Sequence, residues 1–539
     1  GMSGTPMRPS DRKISLDGSP RKPLAVIDIG SNTGRVIVVR LTPGGHLETL
    51  ADAQAPLRLV RNVRAKRHLG RAAIDRALRA LRDFQAVAHG ARAERMVAVA
   101  TSAVREATNG HDLVGRARRE LGLNVHVIDG SREAQWAFVG AVRGLPIEHG
   151  LVLDLGGGSL QISHFRHRWP RRAWSLPLGA LRLSDRFLDH DPPTQKEIRR
   201  LKKAVRVALK RARVRRLARD ERLIGTGGTI RNLAKLDRRR RDYPIPRLHG
   251  YTLSSGRLED VAALLASRRR AKREALPGLN PDRADSIVGG ALIVETVMEV
   301  VGADEMVVAG QGLREGLAFG AAAHAARPAT VVRRASILAL ARRFGTWDSK
   351  AAARRAGIAS RLLAALEPRA TAEMREMVDY AALVLDIGQS VDHFKRHEHT
   401  AMILRAADLA GFSHRGIALL SGLVWQVADG QMAWKAYRPL LRAEDQEALE
   451  RAATTLALAD EIVQRWAAGA PATIHCRPRG REVVLVGPAL GTWAPGRLAD
   501  RFERAFGRRL VVEGAARARD SRPRRAPPLH DGSEALASR

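Results

Sequence analysis

One pattern limits how this chain can fold more than any other, and it occurs twice. Residues 151–159 read LVLDLGGGS: an apolar run ends in an aspartate and passes straight into three glycines and a serine, with a second apolar run, 160–165, behind it. Residues 24–41, LAVIDIGSNTGRVIVVRL, repeat the arrangement of apolar strand, Asp-x-Gly turn and β-branched strand. A flexible linker has no reason to be fused between two apolar strands. Gly156, Gly157 and Gly158 let backbone N–H groups approach an anion that a Cβ would hold off, and Asp154 is placed to hold a metal against that anion. Asp28 and Asp154 occupy equivalent places 126 residues apart, a spacing that suits one lobe of a duplicated domain. The expectation is two related halves whose hairpins face each other across a cleft and grip one polyanion.

Between and beyond the hairpins the chain alternates strands and helices. Residues 69–89 carry Ile74, Leu78, Leu81 and Phe84 at helical spacing, and 96–100 read as a short strand running into TSAVRE. Arg105 therefore lies at a strand-to-helix junction within reach of a phosphate, although pairing with a surface carboxylate explains it equally well. After a strand at 125–128, Asp129 and Gly130 turn into a helix whose first turn holds Glu133. A carboxylate there complements the helix dipole; the functional alternative is a base at the cleft mouth that takes a proton from water. Residues 196–221 read as one long basic helix with Leu201, Val205, Ala208 and Val214 on its apolar stripe. IGTGGTI at 224–230 is a third glycine-rich turn, a helix follows at 285–300 and a strand at 306–309, and GLREG at 312–316 opens a helix expected to return to the first lobe.

At 539 residues the chain has room for two to four domains, and its 45% apolar content is that of a globular α/β protein. The most apolar stretch, 287–308, is interrupted by Glu295, Glu299, Asp304 and Glu305, so no membrane span is expected. Residues 2–23 are polar and basic and do not read as a secretory signal. Cys476 stands alone, so no intrachain disulfide can form, which fits a cytoplasmic setting. Of 92 Lys and Arg only 12 are Lys, leaving 80 Arg, and the formal net charge is +36. That excess makes a polyanion the leading partner, while an arginine-rich solvated surface is the plain alternative; charge permits polyphosphate, nucleotide or nucleic acid and does not choose.

Six motifs in order, IDIGSNT (27–33), ATSAVREATN (100–109), GSREA (130–134), LDLGGGS (153–159), GTGGT (225–229) and GLREG (312–316), resemble those of the exopolyphosphatase and guanosine pentaphosphate phosphohydrolase (Ppx/GppA) family. The resemblance implies an α/β chain with a duplicated actin-like, ribonuclease H-like two-lobe domain, followed by an all-α HD-like module and a small α/β cap. The boundaries it suggests are a disordered leader at 1–22, lobe I at 23–143, lobe II at 144–309, a returning helix at 310–328, the helical module at 329–469, the cap at 470–514 and a disordered tail at 515–539. It implies hydrolysis of terminal phosphate from inorganic polyphosphate, or alternatively of the 5′ phosphate of guanosine pentaphosphate, with Mg2+ or another divalent cation, in a cytoplasmic homodimer. Nucleic acid is not an expected partner, and a weakly active or non-catalytic polyphosphate binder is the remaining alternative.

By position, Glu133 matches the catalytic carboxylate that activates water, and Asp154 the metal-associated aspartate. Asp28, Gly30, Ser31, Asn32, Arg105, Gly156, Gly157, Gly158, Ser159, Gly227, Gly228 and Thr229 match the phosphate-binding turns. One departure stands out. The family usually carries a glutamate two residues after the serine of the second glycine turn, and here that place is Gln161, whose amide offers a metal an oxygen but no charge. In the helical module the metal-binding His-Asp dipeptide would fall on Leu385 and Asp386, so a degenerate metal site is expected despite His393, His397 and His399 nearby.

Overall fold

The computed structural model describes residues 22–61, 67–320, 327–466, 474–487 and 490–514. The leader and tail expected to be disordered therefore lie, but for residue 22, outside the described residues. The chain divides into two compact units, Gly1–Asp242 with Arg247–Val332, and Tyr243–Pro246 with Arg333–Arg539.

The first unit is built on two sheets. The first has the order β3-β2-β1-β4-β5, with β1 (Leu24–Ile29), β2 (Thr33–Leu41), β3 (Leu47–Pro56), β4 (Arg95–Ala100) and β5 (Val125–Val127). The second has the order β10-β11-β9-β6-β7-β8, with β6 (His149–Leu155), β7 (Leu160–Arg166), β8 (Trp169–Leu176), β9 (Arg222–Thr226), β10 (Thr252–Ser254) and β11 (Glu305–Val308). In each sheet a three-strand antiparallel meander is extended by two parallel strands on the side of its first member, and in the second sheet β10 adds an antiparallel edge to β11. The central strands read as apolar runs because helices cover both faces: Val26, Ile27, Leu151 and Leu153 are fully buried.

The duplication extends to single hydrogen bonds. Gly30 N–H donates to Thr33 O at 3.1 Å and Gly156 N–H to Ser159 O at 3.0 Å, closing the two turns identically. After the third strand of each meander the chain folds back onto its turn: Leu57 and Arg58 N–H both donate to Asn32 O, and Leu181 and Arg182 N–H to Gly157 O.

The basic helix expected over 196–221 is shorter, Gln195–Arg211. The chain reverses at Arg213, which has a φ of 54°, and Glu221 anchors the following turn by accepting from Ala218 N–H at 2.8 Å and pairing with His164, Arg166 and Arg215. The helix Leu313–Phe319 packs on the helix Gly130–Arg143 and on β1. On one rim of the cleft between the sheets, Arg58 and Arg61 from the first half meet Asp285 and Asp185 from the second, and Arg182 grips Glu106 at 2.6 Å.

The second unit packs the helices Ser349–Leu366, Ala372–Val384, Arg396–Ala406, His414–Val427 and Ala443–Gln464 around Leu362, Val378, Leu385, Leu420 and Leu456. A three-stranded sheet, β12 (His475–Arg479), β13 (Glu482–Val486) and β14 (Arg509–Glu513), joins the same core with the helix Arg497–Phe506. The segment Tyr243–Pro246, which the sequence does not single out, belongs here: Ile245 is buried in this core and Tyr243 Oη lies 2.7 Å from His414 Nδ1. Among the described residues, no helix is long and apolar enough to cross a membrane.

Candidate functional site

The two hairpin turns meet across the cleft. A Cβ on Gly157 would lie 2.6 Å from Asn32 Cβ, so only glycine lets the second turn come this close to the first. Ser31 Oγ hydrogen-bonds Ser102 Oγ and accepts from Ala103 N–H at 3.1 Å, which ties the first turn to the segment after β4. The third glycine turn comes in from β9: Gly227 has a φ of 106°, and a Cβ there would meet Leu155 O at 2.6 Å.

These turns enclose a cavity of about 100 Å3 lined by Asp28, Gly30, Ser31, Asn32, Glu133, Asp154, Gly156, Gly157, Ser159, Gly227 and Gly228, with Arg35, Arg231, Arg283 and Arg314 among the other walls. The remaining expected residues stand behind the wall. Gly158 packs against Ser31 and Ser102, and Thr229 is buried against the helix Ile287–Val301. Arg105 reaches the cavity through Glu133, donating to Glu133 Oε2 at 3.2 Å and to Ile128 O at 2.6 Å. Gln161 pairs in register with Asp154 and uses its Nε2 on Ser159 Oγ and Ser175 Oγ, both at 3.0 Å.

Burial dominates the electrostatics of the cavity. Glu133, 6% exposed, is pushed up to about 8 by burial, with Arg105 opposing and Asp154 and Asp28 adding. Asp154 is pushed up to about 6 by burial and by Asp28, and Asp28 is raised by burial although Arg314 Nη1 lies 3.3 Å from its Oδ2. The cations move the other way: Arg231 falls to about 9 through burial and the neighbouring Arg314 and Arg35, and Arg283 to about 10 through burial and Arg35. Four arginines and three carboxylates thus line a site in which neither sign is at ease, as expected where a charged ligand completes the set.

Among the described residues in and behind the cavity wall, three buried oxygens lack a hydrogen-bond partner: Asp28 Oδ1, Asn32 Oδ1 and Gln161 Oε1. Orphaned oxygen acceptors beside Asp154 fit a hard cation such as Mg2+. Among the described residues no group of three or more His, Cys, Asp or Glu is placed to hold a metal ion, so the protein alone offers such a cation few charged ligands. Mg2+ tolerates this, since it keeps several waters and takes one or two carboxylates together with substrate phosphates.

The four lining arginines are the residues that motif reading passed over. Arg35 and Arg231 each follow a glycine-rich turn by a few residues and Arg314 lies inside GLREG, so nearness to those turns is the signal that could have found them. Arg283 carries no such signal, because folding alone brings it to Gly228.

The sequence matches the Ppx/GppA phosphatase family over residues 37–325 and domain III of the Ppx/GppA phosphatases over 332–475. Exopolyphosphatase 1 of Mycobacterium leprae is 32% identical over 298 residues, covering 54% of this chain and 88% of that protein. Exopolyphosphatase 2 of Mycobacterium tuberculosis is 32% identical over 316 residues, covering 55% and 97%. The crystal structure of an exopolyphosphatase from Cytophaga hutchinsonii superposes with a TM-score of 0.52 at 28% identity, over 55% of this chain and 97% of that one. The two sheets with their shared cleft are therefore the actin-like two-lobe fold. The chain belongs to the Ppx/GppA phosphatase family and is a phosphohydrolase.

Proposed function

We propose that this chain is an exopolyphosphatase that removes the terminal phosphate of inorganic polyphosphate by attack of water in the cleft. The observation that carries the reading is the convergence of three glycine turns, Glu133 and four arginines on one cavity. The backbone of the turns at Gly30–Asn32 and Gly156–Ser159 cradles the terminal phosphate, while Arg35, Arg231, Arg283 and Arg314 neutralise it and the phosphates behind it. Glu133 accepts the proton of the attacking water, and Arg105 holds its carboxylate in place. Asp154, with the free Oε1 of Gln161 beside it, would hold Mg2+, which when bound supplies further neutralisation of the transferring phosphoryl group. The matched relatives bear the name exopolyphosphatase, which favours polyphosphate over guanosine pentaphosphate.

The test is phosphate release from long-chain polyphosphate, with and without Mg2+, in competition with guanosine pentaphosphate. Release that guanosine pentaphosphate inhibits only weakly is expected. Preferential cleavage of guanosine pentaphosphate would move the assignment to that substrate, and tight binding of polyphosphate without turnover would make the chain a binder.

A further inference from the structure

The helical unit carries a cavity whose character is the reverse of the cleft's. Its volume is about 250 Å3 and its walls are largely carbon. Three elements enclose it: the helix Arg396–Ala406 supplies Met402 and Arg405, the helix His414–Val427 supplies Gly422 and Trp425, and the chain that follows supplies Met432 and Tyr437. Trp425 Nε1 donates to Gln431 O at 3.1 Å, which fixes the indole and the loop opposite it together. Gly422, having no side chain, leaves room for the Met432 thioether, whose Sδ lies 2.8 Å from where a Cβ would stand. Met402 is apolar yet more than half exposed, so the cavity opens to solvent beside it. Arg405, in the last turn of its helix, is the one charged residue of the wall. Other arginines of this unit are paired: Arg355 and Arg396 with Asp386 and Asp460 in a buried charge cluster, and Arg415 with Asp445. Among the described residues Arg405 has neither a hydrogen bond nor an ion pair.

A cavity lined with carbon offers water few partners and takes an apolar body instead; about 150 Å3 is enough for benzene. Two aromatic rings and two thioethers suit a flat aromatic body better than an aliphatic chain, because rings stack on rings and sulfur packs well at a ring edge. The unpaired guanidinium adds a demand for a carboxylate, which it can hold by two parallel hydrogen bonds. An apolar pocket with one placed polar group is also the usual make-up of a small-molecule site. We propose that this cavity binds a small aromatic carboxylate, its ring against Trp425 and Met432 and its charge on Arg405, a ligand chemically distinct from the phosphate chain proposed for the cleft.

The test uses the full chain and 2-naphthoate as the probe, with binding followed by calorimetry and folding by thermal melting. One 2-naphthoate per chain is expected to bind, and the neutral 2-naphthalenemethanol about tenfold more weakly or worse, as the loss of a charge-assisted hydrogen bond requires. Arg405→Gln should remove that difference, weakening the acid by about tenfold or more and leaving the alcohol unchanged. Ala433→Trp, which fills the cavity from its own wall, should abolish binding of both. Inorganic phosphate, and Arg283→Ala in the cleft, should leave 2-naphthoate binding as it is. The proposal is overturned if no 2-naphthoate binds, if acid and alcohol bind the wild type alike, if Arg405→Gln leaves the affinity for the acid unchanged, if decanoate binds more tightly than 2-naphthoate, or if phosphate displaces the probe. Should Ala433→Trp fail to fold, the comparison of acid and alcohol at Arg405, which is only half-buried, still decides.

Discussion

The cleft of the two-sheet unit and the charge cluster of the helical unit both take carboxylates and guanidiniums out of water, and they resolve the cost in opposite ways. In the cluster, Arg355 and Arg396 each touch both Asp386 and Asp460, so every charge faces its opposite inside the chain. In the cleft, Asp28 meets Arg314 and Glu133 meets Arg105, yet Asp154 and Glu133 are driven toward protonation and Arg231 and Arg283 are driven away from it. Self-sufficiency marks a centre that is finished when the chain folds. Imbalance marks one that is finished by something else, and that contrast supports placing the proposed chemistry in the cleft.

Substitutions in the cleft test that contrast directly. Glu133→Gln is expected to lower phosphate release by about 10³-fold while leaving polyphosphate binding largely intact, the signature of a lost proton acceptor. Equal rates would remove Glu133 from the reaction. Arg283→Ala should lower kcat/KM by about 10²-fold, since a buried cation facing a phosphate is worth several kcal/mol, and most of the loss should appear as weaker binding.

The pH profile gives a third reading. If Glu133 is the base, it must be ionised to accept a proton, and since burial holds it up to about 8, kcat/KM should fall about tenfold per pH unit below that value and level off above it. A profile already flat from pH 6 upward would mean that Glu133 is ionised before substrate arrives. Stability should respond in the opposite sense. The folded value lies above the ordinary 4.5, so the contribution of Glu133 is complete below about 4.5 and is lost as pH rises toward 8. Glu133→Gln should therefore match the wild-type Tm at pH 4.5 and exceed it by a few degrees at pH 8.5. The smallest effect is expected of Gln161→Glu, which adds a carboxylate beside Asp154 and should reduce the Mg2+ concentration for half-maximal rate several-fold.

What could be read from the sequence was whatever is written locally. The three glycine turns, the duplication of Asp28 in Asp154, and Glu133 in the first turn of its helix all follow from short-range patterns, and each falls in or against the cavity. Arg283 and the Arg355 cluster were not legible, because their partners lie tens of residues away and only packing brings them together. The over-long basic helix has the same origin. The apolar stripe of Leu201 and Val205 continues in register to Val214, but Glu221 finds a buried ion cluster of its own and the chain turns to reach it. Despite His393, His397 and His399, the sequence leads to a degenerate metal site here, and in the structure His397 lies beside Asp460 while Arg355 from another helix pairs with it.

The arginine clasp on the cleft rim has a consequence for how this protein responds to ionic strength. Arg61 is more than a third exposed, so its pairs with Asp185 and Asp285 are open to screening over the roughly 8 Å Debye length of physiological salt. Added salt would loosen the latch between the lobes while it also weakens attraction for a polyanion. A salt titration of affinity thus sums two events, the phosphates gripped and the lobes released, and a chain lacking Arg61 would carry a smaller share of the second, since Arg58 and Arg182 still clasp the rim.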